Sequence, residues 1–288
     1  MSKPIINIKN LNYTYHKSGK HAIKDIDFSI NQGEVFGFLG PSGAGKTTTQ
    51  RLIIGLLKGY EGNIEILGKE RTSWKKDFFE HIGVAFDFPN LYLKLTAEEN
   101  LKLIASYYAN GPKSFDSLFD QVGLLKNKNE QVENFSKGMK MRLNFIRSIM
   151  HHPDIMFFDE PTSGLDPVNA RIIKDIILHM KSQGKTIFLT THNMTVAEQL
   201  CDRVAFINEG VLSAIDSPKN LMVEHGKSFV TISYKGAEGS VNETLSLNNL
   251  GSNKHFRDIL DTKKILTLHS QEATLEDVFI KLTGRKLV

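Results

Sequence analysis

The 288-residue chain is long enough for one large domain, or for a medium domain with an appendage. Hydrophobic residues at 40% and charged residues at 24% exclude a largely disordered chain, and no every-third glycine period marks a collagen. With 36 Lys and Arg against 32 Asp and Glu, the net charge of +4 permits an anionic partner but does not demand nucleic acid, and none is expected. Cys201 is the only cysteine, so neither an intrachain disulfide nor a Cys-rich zinc site can form, which fits a reducing compartment. Residues 1–12 lack the apolar core of a signal peptide, and no stretch reaches the ~18 apolar residues that span a bilayer. Work at a membrane is therefore expected to pass through a partner.

In chain order, residues 5–8, 22–30, 35–39 and 63–67 read as strands, and helical periodicity follows Lys46. Residues 96–150 read as mostly helical, with loops at 111–112 and 127–134. Met139, Leu143, Ile146 and Met150 form one stripe of an amphipathic helix. Strands return at 155–158, 186–190 and 203–207, separated by helices at 168–183 and 194–201. This strand–helix–strand alternation predicts a largely parallel sheet in an α/β fold. After about residue 224 the composition shifts toward a small α+β appendage. It has strands at 229–234 and 264–268, a loop at 236–241 and a closing helix at 274–282.

The segment Gly40-Pro41-Ser42-Gly43-Ala44-Gly45-Lys46-Thr47 fits G-x-x-x-x-G-K-[ST] between an apolar strand and a helix. Its glycines let the backbone wrap phosphate oxygens, so that N–H groups and the positive helix end face the anion. Lys46 is suited to the β- and γ-phosphates, and the Thr47 hydroxyl to Mg²⁺. The run Ile155-Met156-Phe157-Phe158-Asp159-Glu160 is an apolar strand ending in two carboxylates. Asp159 is suited to hold Mg²⁺ through water, and Glu160 to polarise a water for attack on the γ-phosphate. His192, closing the strand at 186–190, is a candidate γ-phosphate contact; its plainer role is a hydrogen-bonded structural histidine.

Up to about residue 222 the chain resembles the ATP-binding subunit of ABC transporters. The motifs stand in the family's order: the phosphate loop Gly40 to Thr48, the signature segment Phe135-Ser136-Lys137-Gly138-Met139, the acidic strand, the D-loop Ser163-Gly164-Leu165-Asp166, and the switch His192. The resemblance implies a P-loop NTPase fold of ABC type. It comprises a mainly parallel sheet, an N-terminal antiparallel β part and a helical subdomain at about 90–150. The ATP-binding domain spans 1–223 and the accessory domain 224–288. Tyr15 matches the aromatic that stacks on adenine, with Tyr13 as the competing choice. Two positions depart from the family pattern. Lys137 replaces the first signature glycine, and Asp87 stands where a glutamine usually links Mg²⁺ to the helical subdomain. A carboxylate accepts but does not donate, so metal ligation survives that change better than donation to phosphate.

The resemblance implies ATP and Mg²⁺ as cofactors. It also implies a second ATP-binding chain, identical or not, whose Ser136 and Gly138 reach the ATP of its partner. The segment 88–95 is the expected docking region for separate membrane permease subunits, which places the chain on the cytoplasmic face of the cell membrane. The C-terminal Thr274 to Phe279 segment, with Leu282-Thr283-Gly284, resembles bacterial exporters of small molecules such as antibiotics and lipids. It also reads as a capped helix with Thr274 at the N-cap and Asp277 three residues on. An importer ATPase and a soluble ABC-type switch are the alternatives. One cysteine, no long heptad run and a single ATPase domain weigh against the switch.

Overall fold

A computed structural model describes residues 3–284 except 17, 110, 227–228, 237–238 and 272. The chain divides into two compact units, one reaching Asp216 and the other beginning at Ser217.

The first unit opens with β1 (Ile6–Tyr15), β2 (Lys20–Ile30) and β3 (Val35–Leu39), followed by helix α1 (Lys46–Ile53). β4 (Glu61–Ile66), β5 (Lys69–Glu70), the short helix α2 (Phe78–His81) and β6 (Ile82–Ala85) come next. A helical stretch holds α3 (Ala97–Ala105), α4 (Asp116–Gln121) and α5 (Lys137–Ile149). The chain then alternates through β7 (Ile155–Asp159), α6 (Pro167–Ser182), β8 (Thr186–Thr191) and α7 (Met194–Leu200), ending on β9 (Arg203–Asn208) and β10 (Val211–Asp216).

Two sheets result. β2-β1-β4-β5 is antiparallel, and the six-stranded sheet runs β10-β9-β3-β8-β7-β6 with only β10 antiparallel. This is the expected α/β arrangement. Parallel neighbours in register place Phe36, Phe188 and Phe157 side by side on one face. Phe28 of the antiparallel sheet stacks on Phe36 at 5.5 Å, with planes 4° apart. All four rings are buried, each contributing about 1.5–3 kcal/mol relative to exposure. The opposite face receives α5, where Phe145 meets Phe158 at 4.9 Å.

The strands expected in this unit are present, several of them longer; β1 runs on to Tyr15 rather than ending at Ile8. The expected mostly helical 96–150 region is shorter in helix, because 106–109, 111–115 and 122–136 are loops, turns and brief 3-10 pieces. β6 was not expected as a strand: four residues containing a glycine carry little β signal of their own, and pairing with β7 fixes them.

The second unit holds α8 (Pro218–His225), β11 (Phe229–Lys235), β12 (Ser240–Ser246), α9 (Lys254–Thr262), β13 (Ile265–Gln271) and α10 (Leu275–Thr283). Its antiparallel sheet, β12-β11-β13, buries Val230, Ile232 and Tyr234 with Phe256 and Ile259 of α9. The expected loop at 236–241 is corrected at its end, since Ser240 and Val241 begin β12 by pairing with Lys235 and Tyr234; residues 237–238 lie outside the described residues. The capping box at Thr274 and Asp277 is formed, and Leu275, Val278 and Phe279 are fully buried. Among the described residues no helix is long and apolar enough to cross a membrane.

Gly40 fixes how closely the chain leaving β3 approaches β9. A Cβ there would lie 2.2 Å from the carbonyl oxygen of Ile207, which is backbone and cannot yield as a side chain would. Gly40→Ala should therefore lower unfolding stability by roughly 1–3 kcal/mol, the usual cost of overpacking. Urea denaturation without nucleotide measures it, and an unchanged midpoint would show that the strand end can shift without cost.

Candidate nucleotide site

Four adjacent strands, β3, β8, β7 and β6, run parallel, so their carboxyl ends share one edge of the sheet. That edge is where α/β folds place ligands, because the loops leaving it diverge. A cavity of about 990 Å³ opens there.

β3 delivers the phosphate loop and α1 starts directly after it. Gly45 caps α1 with φ 118°, a left-handed conformation that side chains other than glycine rarely adopt. The Lys46 ammonium donates to the carbonyls of Gly40 at 2.5 Å and Pro41 at 3.1 Å. It is only 9% exposed. Burial pulls its pKa below the ordinary lysine value, while the charges of Glu160 and Asp159 pull it back up.

β7 delivers the acids. Asp159, 3% exposed, accepts from the Thr47 hydroxyl at 3.0 Å and from the Thr190 hydroxyl. Burial pushes its carboxyl above the usual range. The two hydroxyl bonds oppose that shift, and the charges of Asp87 and Glu160 add to it. Glu160 turns out of the strand with φ 50°, a strained value for a residue other than glycine. Its carboxylate accepts from the Thr191 hydroxyl at 3.0 Å and from the His192 amide at 2.9 Å. His192 Nδ1 lies 2.5 Å from the same carboxylate. An ionised carboxylate only accepts, so this contact requires the proton on Nδ1.

Most of the expected residues meet at this cavity. Ser42, Gly43, Gly45, Lys46, Thr47 and Thr48 line it, as do Tyr15, Asp87, Asp159, Glu160 and His192. Tyr15 bonds Thr48 through its hydroxyl at 2.9 Å, whereas Tyr13 is buried behind it, edge-on at 5.0 Å. Gly40, Pro41 and Ala44 belong to the loop but are not on the cavity wall. Ser136, Gly138 and Asp166 are also off that wall. The Ser136 hydroxyl caps α5 by accepting from the Met139 amide, and Asp166 caps α6 through the amides of Val168 and Asn169. Sequence reading missed Thr190 and Thr191, whose hydroxyls hold the two acids. The available signal was their place at the end of a strand bordering the acidic one. It also missed Lys20 and Lys140 on the wall, where Lys137, noted in the sequence only as a departure from the signature pattern, lies too.

The oxygen donors near Asp159 suit a hard cation. Among the described residues, no three acidic, imidazole or thiol groups form a cage made by the protein alone. Mg²⁺ needs none, since it commonly takes one or two carboxylates and completes its shell with water and phosphate. The buried Asp159 carboxylate, crowded by two other acids, is stabilised by such a charge. Thr47, Asp159 and Asp87 therefore fit Mg²⁺.

The raised pKa of Asp159 has a consequence for stability. A carboxyl whose folded pKa exceeds its unfolded one makes the folded chain bind more protons in the window between them. Stability then falls as pH rises through that window. At pH 7 without a divalent cation, Asp159→Asn should unfold at a higher temperature than the parent. The gap should shrink as pH drops below the carboxylate range. Equal melting temperatures at pH 7 would remove the electrostatic penalty argued for Asp159.

Comparison with known proteins agrees with this geometry. The ABC transporter family model matches residues 23–163. A fluoroquinolones export ATP-binding protein of Mycobacterium tuberculosis is 45% identical over 284 residues, 98% of this chain and 94% of that protein. The bacitracin transport ATP-binding protein of Bacillus licheniformis is 37% identical over 207 residues, 71% of this chain and 68% of that protein. A dimeric ATP-binding cassette solved in a post-hydrolysis state with ADP and Pi superimposes with a TM-score of 0.67. It is 25% identical and covers 74% of this chain and 98% of that one. The chain belongs to the ABC transporter family, as an ATP-binding and ATP-hydrolysing subunit.

Proposed function

We propose that this ATPase drives export of a small molecule, such as a drug, antibiotic or lipid, through separate membrane permease subunits. The observation that carries the reading is likeness over nearly the whole chain, including the second unit, to a protein named for fluoroquinolone export. Residues 1–223 are assigned to ATP binding and 224–288 to an accessory domain.

In this reading Tyr15 stacks on adenine, and the amides of the phosphate loop with Thr48 hold the phosphates. Lys46 exchanges the carbonyls of Gly40 and Pro41 for the β- and γ-phosphates, a stronger partner for an ammonium. Glu160, fixed by Thr191 and the His192 amide, accepts a proton from the attacking water. The water oxygen bonds to the γ-phosphorus as the bond to the bridging oxygen breaks. With Nδ1 committed to Glu160, Nε2 is the ring nitrogen of His192 left to face the γ-phosphate. Thr47, Asp159 and Asp87 would hold Mg²⁺, which supplies charge neutralisation on the phosphate oxygens when bound.

Ser136 and Gly138 lie off this chain's own cavity and at the start of a 13-residue helix, which supports a role on the ATP of a second chain. Asp166 is assigned to the same interface. Phe88 (74% exposed), Tyr92 and Leu93 support the permease docking assigned to 88–95, on the cytoplasmic face of the membrane.

Glu160→Gln should keep ATP affinity and lose hydrolysis by ~10²–10⁴, the usual cost of removing a positioned base. The uncleaved ATP should then hold two chains together. Phosphate release and size-exclusion chromatography with ATP measure both effects. Hydrolysis at the parent rate would remove Glu160 from this role.

A further inference from the structure

We infer that Asn144 and Arg147 of α5 are positioning residues for hydrolysis, because together they grip both ends of the cavity wall that carries Asp87. The Asn144 side chain is 1% exposed, and its amide donates to the carbonyl of Phe86 at 3.0 Å. Its oxygen accepts from Arg147 Nη2 at 2.5 Å. Arg147 Nη1 donates to the carbonyl of Asn90. One helix thus holds the residue before Asp87 and the residue three after it. Among the described residues, no hydrogen bond holds Asp87, Phe88 or Pro89 between those two points. Downstream, Asn100 pins Tyr92 by accepting from its amide at 2.8 Å and donating to its carbonyl at 3.0 Å.

The arrangement is costly to break and specific in its reach. A buried amide deprived of its partner loses the full desolvation cost of that group, so the loop has a strong preference for this one position. Asn144 and Arg147 are three apart in sequence and therefore neighbours on one helix face. The same helix brings Lys137 and Lys140 to the cavity near its N-terminus. The grip spans 58 residues of sequence from Asn144 to Phe86 and ties α5, capped by Ser136, to the loop after β6 whose Asp87 carboxylate interacts with the charge of Asp159. Neither side chain lines the cavity, so each acts through the placement of Asp87. Errors of about 1 Å in such placement reduce turnover far more than binding.

The inference rests on the role proposed for Asp87, and the test separates the two. Steady-state ATP hydrolysis is measured at saturating Mg²⁺ for the parent chain, Arg147→Ala, Arg147→Lys, Asp87→Ala and the double variant Arg147→Ala/Asp87→Ala. Amide exchange in the 86–91 segment is followed in the nucleotide-free proteins. Arg147→Ala should lower kcat by roughly ten- to a hundredfold with KM for ATP little changed. Exchange should quicken in that segment. Arg147→Lys, which keeps a cationic donor and guards against a folding failure of the alanine variant, should recover much of the rate. The double variant should be no slower than Asp87→Ala alone, since both changes act on one group. An unchanged kcat in Arg147→Ala, or losses that multiply in the double variant, would overturn the inference and leave the role of Asp87 standing. Normal hydrolysis by Asp87→Ala would overturn that role, and the inference with it.

Discussion

The nucleotide site is built around a carboxylate, Asp159, buried at the end of β7. A lone ionised acid in that position is unfavourable, and burial pushes its pKa above the ordinary carboxylate value. The neighbours moderate it in two ways. Thr47, at the start of α1, and Thr190, on the neighbouring β8, donate hydroxyl protons, and the Lys46 ammonium lies close enough for the charges to interact. The strand order puts β8 between β3 and β7, so the phosphate loop and Thr190 both reach Asp159 from that side of β7. Residual negative charge in such a site is poorly compensated by protein alone and well compensated by a divalent cation with its phosphates. Stability is lower without ligand so that affinity is higher with it.

The second acid is treated differently. Glu160 leaves the strand in a left-handed conformation, and its carboxylate is held by the Thr191 hydroxyl and by the amide and ring of His192. The last residue of the strand and the first beyond it thereby acquire distinct environments, one deep between hydroxyls and one at the rim beside an imidazole. That division matches a metal-binding acid beside a proton-accepting one, the division proposed for hydrolysis. α5 adds a third layer. Its first turn reaches the cavity, and its middle holds the loop that carries Asp87.

Parts of this were legible in the sequence because the signal is local. The phosphate loop has fixed glycine spacing, and the acidic pair ends an unmistakable apolar strand. The capping box at Thr274 and Asp277 lies within four residues and formed as expected. What was hidden depends on distant partners. β6 is a strand only because β7 lies beside it, and β12 carries only Val241 and Leu245 as apolar residues, so its pairing with β11 defines it. The α9 stripe of Phe256, Ile259 and Leu260 was present but short, and it is stabilised by the sheet it covers. Thr191 and Glu160 are 31 residues apart, and Asn144 and Phe86 are 58 apart; no spacing rule connects them. Tyr15, the residue preferred in the sequence, lies on the cavity wall, whereas Tyr13 is buried.

The central claim is that the edge formed by β3, β8, β7 and β6 is one site for ATP and Mg²⁺ together, with the buried carboxylate linking the two. Thermal unfolding of the purified chain with Mg²⁺ alone, with ATP alone and with both tests this directly, since a ligand stabilises the fold in proportion to its binding. The account predicts that the two together raise the midpoint by more than the sum of their separate shifts. Strictly additive shifts, or an ATP shift that is the same with and without Mg²⁺, would contradict it.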